Sequence, residues 1–460
     1  MAQSHTFDFD LIVIGSGAGG SAAAAIAARE GKRVAIVEAD TFGGDSPNWG
    51  DVPTSALLHA AHLFDDARNA SRFGLRTTTL GYNYPSIRAW KEVAVKRTGA
   101  GGNKKFYEGQ GITAIQGRAH FLSPNEITVN RHHFSARSFL IATGSSWIVP
   151  EIPGIQDVPY LTPRTILEAI KPPKSLIVFG GDSYGVEIAQ LMAIFGTKVT
   201  IIEKSSRLLP HQDAEVGELM ERLLKDKGVE VLTHTRVLST QQEALAKRVL
   251  ITRGNEERTI KADEILIALG RTPNVDLGLD NASVAYTAKG IETNQFLQTS
   301  TKHIYAAGDV LGQTETKRNS TYSALLESRV SAHNMFHKAS IAPDYGAAPE
   351  VIFTSPEIAQ VGLTEDDCKK RDISINKAVA PLNIIARSNT SDFRDGFVKL
   401  ITDKKGVLLG GTIIAPGAGE AIHEVALAIK LGLTASQLAD TPHAFLSWSE
   451  AVRVAASRLS

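Results

Sequence analysis

Two glycine-rich turns in this chain have the residue types and the spacing that bind dinucleotides. In the first turn, Gly15, Gly17 and Gly20 form the pattern G-x-G-x-x-G. These glycines allow a tight turn, close approach of the backbone to a pyrophosphate, and close packing of the following helix, whose N-terminus attracts phosphate. Glu38 lies 23 positions after Gly15, where its carboxylate can bind a ribose hydroxyl. The segment therefore predicts a dinucleotide site.

The second turn repeats this arrangement with one change. Gly180 and Gly185 are present and Glu203 again follows the first glycine by 23 positions, but Asp182 replaces the middle glycine. A carboxylate at this position crowds and repels a pyrophosphate. Two interpretations stay open: this unit binds a nucleotide, or it is a scaffold that binds none.

Each turn lies inside a predicted strand–helix–strand unit. The segments FDLIVIGSGAGGSAAAAIAAREGKRVAIVEAD and SLIVFGGDSYGVEIAQLMAIFGTKVTIIEKS both predict an apolar strand, a glycine turn, a helix and a second strand. Three further apolar strands end in turns of small residues, in FLIATGSS, EILIALGRTPN and TSTKHIYAAGDV. Taken singly, these three are ordinary strand ends.

Composition excludes several classes of partner. The 460 residues include 49 Lys and Arg against 49 Asp and Glu, so no basic surface favours nucleic acid or an anionic membrane. Cys368 is the single cysteine, which excludes a disulfide or a multi-cysteine metal site within the chain. We predict no metal site, no secretory signal and no transmembrane segment. A reducing cytoplasmic location and small-molecule partners are expected.

Seven motifs, GSGAGG, FYEGQGI, IATGS, GVEIAQ, ALGRTPN, IYAAGDV and VIFTSPEIAQVGLTE, occur in the order typical of one family. The chain resembles the flavoprotein disulfide reductases, such as lipoamide dehydrogenase and mercuric reductase. The resemblance implies an α/β fold with two Rossmann-like dinucleotide-binding domains and a C-terminal α+β interface domain. It implies an FAD domain at 1–147 and 275–345, an NAD(P) domain at 148–274, a dimerisation domain at 346–460, and a homodimer.

The resemblance also assigns cofactor-binding residues. The first glycine turn and Glu38 would hold the adenosine diphosphate half of FAD, and Asp309 would reach its ribityl and pyrophosphate region. The other residues predicted to bind the cofactors are Ala142, Thr143, Gly144, Gly180, Gly185, Glu203 and Gly270. A carboxylate at Glu203 bonds ribose hydroxyls and repels a 2′-phosphate, so NADH is expected to be preferred to NADPH.

The thiols that define the family's chemistry are missing. Where the family carries G-G-x-C-x-N-x-G-C-x-P-S-K, this chain has GGDSPNWGDVPTS at 43–55, with Ser46 and Asp51 at the two cysteine positions. Neither can form a disulfide or a thiolate beside a flavin. Asp51 is a candidate proton donor or base, or simply a cap where a helix opens. Trp49 stacks on a flat substrate or fills space.

The rest of the family's catalytic set is also altered. Ser55 replaces a lysine that in the family pairs with the glutamate found here as Glu187. Phe445 replaces the family's acid–base histidine, although Glu450, its orienting glutamate, remains. Asp51, Glu187 and Glu450 are therefore the candidate catalytic residues. His443 is expected to be a surface or interface histidine, and Cys368 to face solvent on a charged helix.

Three functions fit this pattern. The first is an FAD enzyme that takes hydride from NAD(P)H and passes electrons to a non-disulfide acceptor such as a quinone, oxygen or a metal. The second is a non-catalytic flavin-binding or assembly protein. The third is an FAD oxidase or dehydrogenase of an organic substrate near Asp51 and Trp49.

Overall fold

The computed structural model of the protein describes residues 7–76, 79–98, 102–313, 319–337 and 339–460. Its strands, numbered in chain order, are β1 (Phe9–Ile14), β2 (Val34–Glu38), β3 (Thr113–Gln116), β4 (Ala119–Ser123), β5 (Glu126–Val129), β6 (His132–Ile141), β7 (Ser145–Trp147), β8 (Ser175–Phe179), β9 (Lys198–Ile202), β10 (Glu230–Leu232), β11 (Thr235–Glu243), β12 (Ala246–Arg253), β13 (Glu256–Ala262), β14 (Glu264–Ile267), β15 (Arg271–Pro273), β16 (Tyr286–Thr287), β17 (Gly290–Ile291), β18 (Ile304–Ala306), β19 (Glu350–Ile352), β20 (Glu357–Gly362), β21 (Asn376–Pro381), β22 (Phe397–Thr402) and β23 (Leu408–Ala415).

The α-helices in the described residues are α1 (Ala18–Arg29), α2 (Asp45–Asn48), α3 (Asp51–Asn69), α4 (Tyr84–Thr98), α5 (Lys104–Glu108), α6 (Pro163–Ile166), α7 (Ser183–Ile194), α8 (Ala214–Asp226), α9 (Thr321–Phe336), α10 (Glu365–Lys370), α11 (Ala386–Thr390), α12 (Ala418–Lys430), α13 (Ala435–Asp440) and α14 (Glu450–Ser457). The chain divides into two compact units: Met1–Thr54, Ala89–Ile148 and Gly270–Tyr345 form the first, and Ser55–Arg88, Val149–Leu269 and Gly346–Ser460 form the second.

A seven-stranded sheet forms the centre of the first unit. The last four residues of β1 are buried, as expected for a strand covered on both faces. β1 pairs in parallel with β2 and with β6, giving the order β3-β2-β1-β6-β5-β4, and β18 pairs in parallel with β6. Helix α1 joins β1 to β2. Because β1, β6 and β18 are parallel, the turns that follow them meet at one edge of the sheet.

The second unit begins with a similar parallel arrangement. Strands β10, β9, β8 and β14 form a four-stranded parallel sheet in that order, and α7 joins β8 to β9. Most of α7 is buried, because apolar side chains occupy nearly its whole circumference. Strands β11, β12 and β13 form a separate antiparallel sheet.

The C-terminal part of the second unit is an antiparallel sheet of order β19-β20-β23-β22-β21, with α12 and α14 contributing to its apolar core. Together with the two Rossmann-like sheets, this confirms the predicted fold class. Within the described residues, no helix combines the length and hydropathy needed to cross a bilayer, and no group of three or more His, Cys, Asp or Glu is placed to hold a metal ion.

A buried lysine fixes β22 to its neighbours. Lys399 is fully buried, and its ammonium lies 3.2 Å from Asp213 and 3.0 Å from Glu215 and also pairs with Glu365. Burial alone would lower the pKa of Lys399, but the bond to Glu365 and the nearby carboxylates outweigh it and raise the pKa above the ordinary value. Lys399 therefore keeps its charge.

The prediction for Cys368 is wrong. This residue lies in α10 on the face that is covered, and only 1% of its surface is exposed. The helix is amphipathic, so its charged neighbours occupy the exposed side while the thiol packs inward. Burial, and then the charge of Asp367, raise the pKa of the Cys368 thiol.

Candidate functional site

In the first glycine turn, Gly15 and Gly20 pack tightly against backbone atoms, and Gly17 does not. A Cβ at Gly15 would lie 2.1 Å from the carbonyl oxygen of Ala142, and one at Gly20 would lie 2.0 Å from the carbonyl oxygen of Gly15. Gly15 also has a φ of +105°, which side chains rarely adopt. At Gly17 the nearest atom to such a Cβ is 3.7 Å away, in Gly44. The backbone at Gly17 is therefore open to a ligand.

The start of α1 has the properties of an anion site. Its N-cap, Gly17, has no side chain to bond the first amide groups of the helix, so these donors and the positive end of the helix dipole face outward. Glu38 lies beside this turn, where its Oε2 accepts bonds from the amide of Ser16 at 2.9 Å and from its hydroxyl at 2.7 Å. The arrangement fits a dinucleotide whose pyrophosphate lies at α1.

A buried tyrosine that sequence reasoning passed over supports the turn. The Tyr107 hydroxyl donates to the carbonyl oxygen of Ser16 at 2.9 Å, and its side chain is almost fully buried. Burial raises the pKa of Tyr107 to about 12. It therefore remains a donor, and the motif FYEGQGI already contained this residue.

Asp309 is fixed by residues from two other segments. The Ser145 hydroxyl donates to Asp309 Oδ2 at 2.6 Å, and Arg271 Nε donates to the same hydroxyl at 2.7 Å. The guanidinium of Arg271 also forms an ion pair with Asp45 and lies 4.6 Å from the centre of the Trp147 ring. Arg271 thus joins the first residue of α2 to Asp309.

A partial signal for this arginine is present in the sequence. The motif ALGRTPN contains the predicted Gly270 and, directly after it, Arg271. A charged residue in a strand next to two small-residue turns is a candidate for binding carboxylates, but its partners cannot be identified from spacing.

A second buried group positions the turn before Asp309. Glu327, in α9, is fully buried; one of its oxygens accepts the amide of Gly308 at 2.6 Å and the other accepts the hydroxyl of Tyr345 at 2.7 Å. Burial and the adjacent Glu327 charge raise the pKa of Tyr345 well above its ordinary value. Glu327 was not among the predicted residues.

The remaining strand-end residues shape the backbone around these groups. The Thr143 hydroxyl donates to the carbonyl of Asn274 at 2.7 Å, and the amide of Asn274 donates to the carbonyl of Gly144 at 2.9 Å. Gly144 and Gly270 have positive φ values of 67° and 99°. Both positions thus require a conformation that glycine adopts readily.

Ser46, Asp51 and Thr321 form a cluster of oxygens where the family pattern places thiols. Both hydroxyls donate to the same carboxylate oxygen, Asp51 Oδ2, at 2.6 Å each, and the two hydroxyl oxygens are 3.2 Å apart. The helix predicted to open here begins at Asp51. Thr321 begins α9 and was not predicted.

The second glycine turn is partly occupied by its own side chains. Gly180 and Gly185 pack as the first turn does, since a Cβ at either would lie within 2.4 Å of a carbonyl oxygen. Asp182 is the N-cap of α7, and its carboxylate accepts the amide of Ser183 at 3.0 Å. This carboxylate therefore lies where an anion would bind.

Glu203 is more enclosed than its counterpart in the first unit. Its oxygens accept backbone amides from Gly181 at 2.7 Å and Ser205 at 2.6 Å, and only 6% of its surface is exposed. Leu208 packs against the same turn, 2.4 Å from the position of a Cβ at Gly181. A ribose would have to displace part of this contact.

The other predicted catalytic residues lie in the second unit. Glu187 is buried and accepts the backbone amide of Phe353 at 2.8 Å. Glu450 begins α14, 4.0 Å from Arg453, and its buried Oε2 has no hydrogen-bond partner among the residues that the structure describes. Phe445, at the position of the family's histidine, is 74% exposed.

His443 is partly exposed through its backbone, and its assignment as a surface or interface histidine stays a prediction. Its side chain is only 4% exposed, and its Nε2 lies 2.7 Å from Glu424 Oε2. Its other ring nitrogen, Nδ1, lies 2.7 Å from the carbonyl oxygen of Thr441. The bond to Glu424 holds the ring inward, and sequence spacing gives no sign of it.

The fold and the first glycine turn define a dinucleotide-binding oxidoreductase. The pyridine nucleotide-disulphide oxidoreductase model matches residues 9–328, and the model of that family's dimerisation domain matches residues 348–456. The chain belongs to the pyridine nucleotide-disulphide oxidoreductase family, whose members use a flavin and a pyridine nucleotide. The resemblance found in the sequence is confirmed.

Relatives match over almost the whole chain. A mercuric reductase of Staphylococcus aureus is 35% identical over 453 residues, covering 98% of this chain and 82% of the relative. A dihydrolipoyl dehydrogenase of Geobacillus stearothermophilus is 33% identical over 455 residues, covering 97% and 95%. The solved Cu(II) complex of the HOCl-induced flavoprotein disulfide reductase RclA from Escherichia coli has a TM-score of 0.86 at 26% identity, covering 99% of this chain and 100% of that one.

Proposed function

We propose that this protein oxidises a nicotinamide nucleotide and passes the electrons to a small-molecule acceptor other than a disulfide. The observation that carries the proposal is the Ser46, Asp51 and Thr321 cluster, which replaces thiols beside an otherwise intact dinucleotide site. A chain with one cysteine, buried in α10, has no thiol pair to relay electrons. The acceptor must therefore receive them without a disulfide intermediate.

FAD is the group that the first unit fits. Gly17 and the uncapped N-terminus of α1 would hold its pyrophosphate, Glu38 its adenosine ribose, and Asp309 its ribityl chain. When bound, FAD would accept a hydride and release the electrons one or two at a time. The residues of the chain would orient it, and Arg271 would keep Asp309 in place.

The proposed donor is NADH, used in preference to NADPH. Glu203 ends the second unit's first strand–helix–strand segment, and its negative charge would repel a 2′-phosphate. Asp182 weakens the binding of either nucleotide because its carboxylate occupies the start of α7. The proposed assembly is a homodimer, since the chain carries the family's dimerisation domain.

Two observations favour a second candidate function. Asp182 caps α7 where a nucleotide would bind, and Phe445 replaces the family's base. Both residues are compatible with a protein that binds FAD for assembly and catalyses no reaction. Such a protein would be yellow and dimeric but would not respond to nucleotides.

Anaerobic addition of NADH, then NADPH, to the purified protein tests the proposal. Bleaching of the oxidised flavin band by NADH, followed by its return on addition of a quinone, is expected. A flavin that is reduced by dithionite or light and by neither nucleotide would exclude the nicotinamide role and leave the binding-protein function.

A further inference from the structure

The side chains of Ser46, Asp51 and Thr321 form a cluster in which two hydroxyls surround one carboxylate. Each hydroxyl donates at 2.6 Å to Asp51 Oδ2, an arrangement that satisfies a carboxylate in its ionised form, which only accepts hydrogen bonds. The second oxygen, Oδ1, receives no hydrogen bond from the residues that the structure describes. Asp51 therefore has one oxygen held in place and one available to a ligand.

The surrounding elements fix the cluster next to the proposed FAD site. Asp51 opens α3, shortly after Asp45, which is paired with Arg271. Arg271 in turn donates to Ser145, whose hydroxyl donates to Asp309. Through this series of contacts the cluster lies on the Asp309 side of the cradle, beyond the part that would hold the adenosine.

The opposite wall of the cluster is also rigid. Thr321 is the first residue of α9, whose N-cap Ser320 accepts the amide of Ser323 at 3.1 Å. The Thr321 hydroxyl is thus held by a capped helix and not by a free loop. Its proton can pass to Asp51 or to Ser46, which lies 3.2 Å away.

The chemistry of the acceptor decides what such a cluster is for. Reduction of a quinone follows NADH + quinone + H⁺ → NAD⁺ + hydroquinone, in which the hydride carries two electrons and one proton. The second proton comes from solvent and needs a positioned acid to deliver it. A one-electron metal acceptor takes up no proton, and soft metal ions prefer thiolate ligands, which are missing from this cluster.

We propose that Asp51 relays the second proton from solvent to a quinone-class acceptor, with Ser46 and Thr321 holding its carboxylate in position. This inference rests on the proposed function and names the class of acceptor. In the product, one hydroxyl of the hydroquinone would donate to Asp51 Oδ1. The ionised carboxylate takes up a proton from solvent at Oδ1 and passes it to the quinone oxygen, which restores the carboxylate that the two hydroxyls stabilise.

The test uses the full-length, FAD-loaded protein reduced by light under anaerobic conditions, so that no nucleotide is needed. Its reoxidation is followed with 1,4-benzoquinone, which takes up protons, and with ferricyanide, which does not. The variants are Asp51→Asn and, as a matched control, Asp66→Asn, which removes an exposed carboxylate from the same helix, α3. Asp51→Asn should slow reoxidation of the flavin by benzoquinone by about tenfold or more. The same variant should not slow reoxidation by ferricyanide.

An equilibrium measurement provides a second readout that does not depend on turnover. A negative charge next to the flavin disfavours the addition of electrons, so the midpoint potential should become more positive in Asp51→Asn and stay unchanged in Asp66→Asn. Equal slowing with both acceptors, or slowing with neither, would overturn the role of Asp51, as would an unchanged potential.

Two milder substitutions keep the test decisive if Asp51→Asn fails to retain FAD. Ser46→Ala and Thr321→Val leave the carboxylate in place. Each should slow reoxidation by benzoquinone but not by ferricyanide, by a smaller factor than Asp51→Asn does. Unselective or absent effects in both variants would also overturn the proposal. A failure of NADH to reduce the protein would contradict the proposed donor and leave these light-driven results valid.

Discussion

Replacing Asp182 by asparagine is expected to tighten the binding of NAD⁺ to the second glycine turn by roughly tenfold, a free-energy change of about 1.4 kcal/mol. Asp182 accepts the amide of Ser183 at 3.0 Å and caps α7. Asparagine caps a helix about as well as aspartate. The substitution therefore removes a negative charge while keeping the helix end closed.

The magnitude follows from the exposure of the carboxylate. Two unit charges 4 Å apart interact with about 1 kcal/mol in bulk water and about 4 kcal/mol near a protein surface. The Asp182 side chain is 50% exposed, so the lower part of this range applies. His211, 3.8 Å from the carboxylate, reduces the repulsion further when it is protonated.

Calorimetric titration of NAD⁺ into the FAD-loaded protein measures the effect, with Asp182→Gly as a companion variant that also relieves crowding. The affinity gained by Asp182→Asn should shrink as salt is added, because exposed charges are screened. Tighter binding in the glycine variant alone would show that crowding, and not charge, limits binding. No gain in either variant would refute the reasoning.

Other substitutions test the remaining contacts. Arg271→Ala should weaken FAD binding by roughly tenfold or more, since charge-assisted hydrogen bonds contribute about 1.5–3 kcal/mol; fluorescence of released flavin measures this, and unchanged retention would contradict the positioning role. Lys399→Met should lower the free energy of unfolding, measured in urea, by about 3–5 kcal/mol. A loss below about 1 kcal/mol would show that the cluster contributes no more than an exposed ion pair does. Burial lowers the pKa of Lys399, but its carboxylate partners raise it above the ordinary value of 10.5. The stabilisation that the charged lysine contributes is therefore complete below pH 10.5 and is lost as the pH rises through the raised pKa. The melting temperature of the Met variant should not show this decline at alkaline pH. Neither the native protein nor a Ser46→Cys, Asp51→Cys double variant should oxidise NADH with glutathione disulfide or lipoamide, because Phe445 supplies no base, and steady turnover by either would refute this.

Features encoded by neighbouring residues were predictable from the sequence. The glycine spacing and the apolar runs on either side of it identified both strand–helix–strand units, because tight turns and buried strands depend on local sequence. Glu38 is the last residue of β2, and Glu203 follows directly after the last residue of β9. The family motifs extended this to the fold class.

Contacts between distant segments could not be predicted in the same way. Thr321 and Asp51 are 270 positions apart, and Arg271 and Asp45 are 226 apart. Hydrogen bonds of this kind depend on how strands and helices pack, which a single sequence does not specify. The burial of Cys368 was missed for a related reason, since a short charged helix still has one covered face.

The reduction of the bound flavin by NADH under anaerobic conditions tests the central claim most directly. The claim predicts that NADH bleaches the oxidised flavin band, faster than NADPH does, and that a quinone then restores it while glutathione disulfide does not. A flavin band that neither nucleotide changes, in a protein that light still reduces, would contradict it.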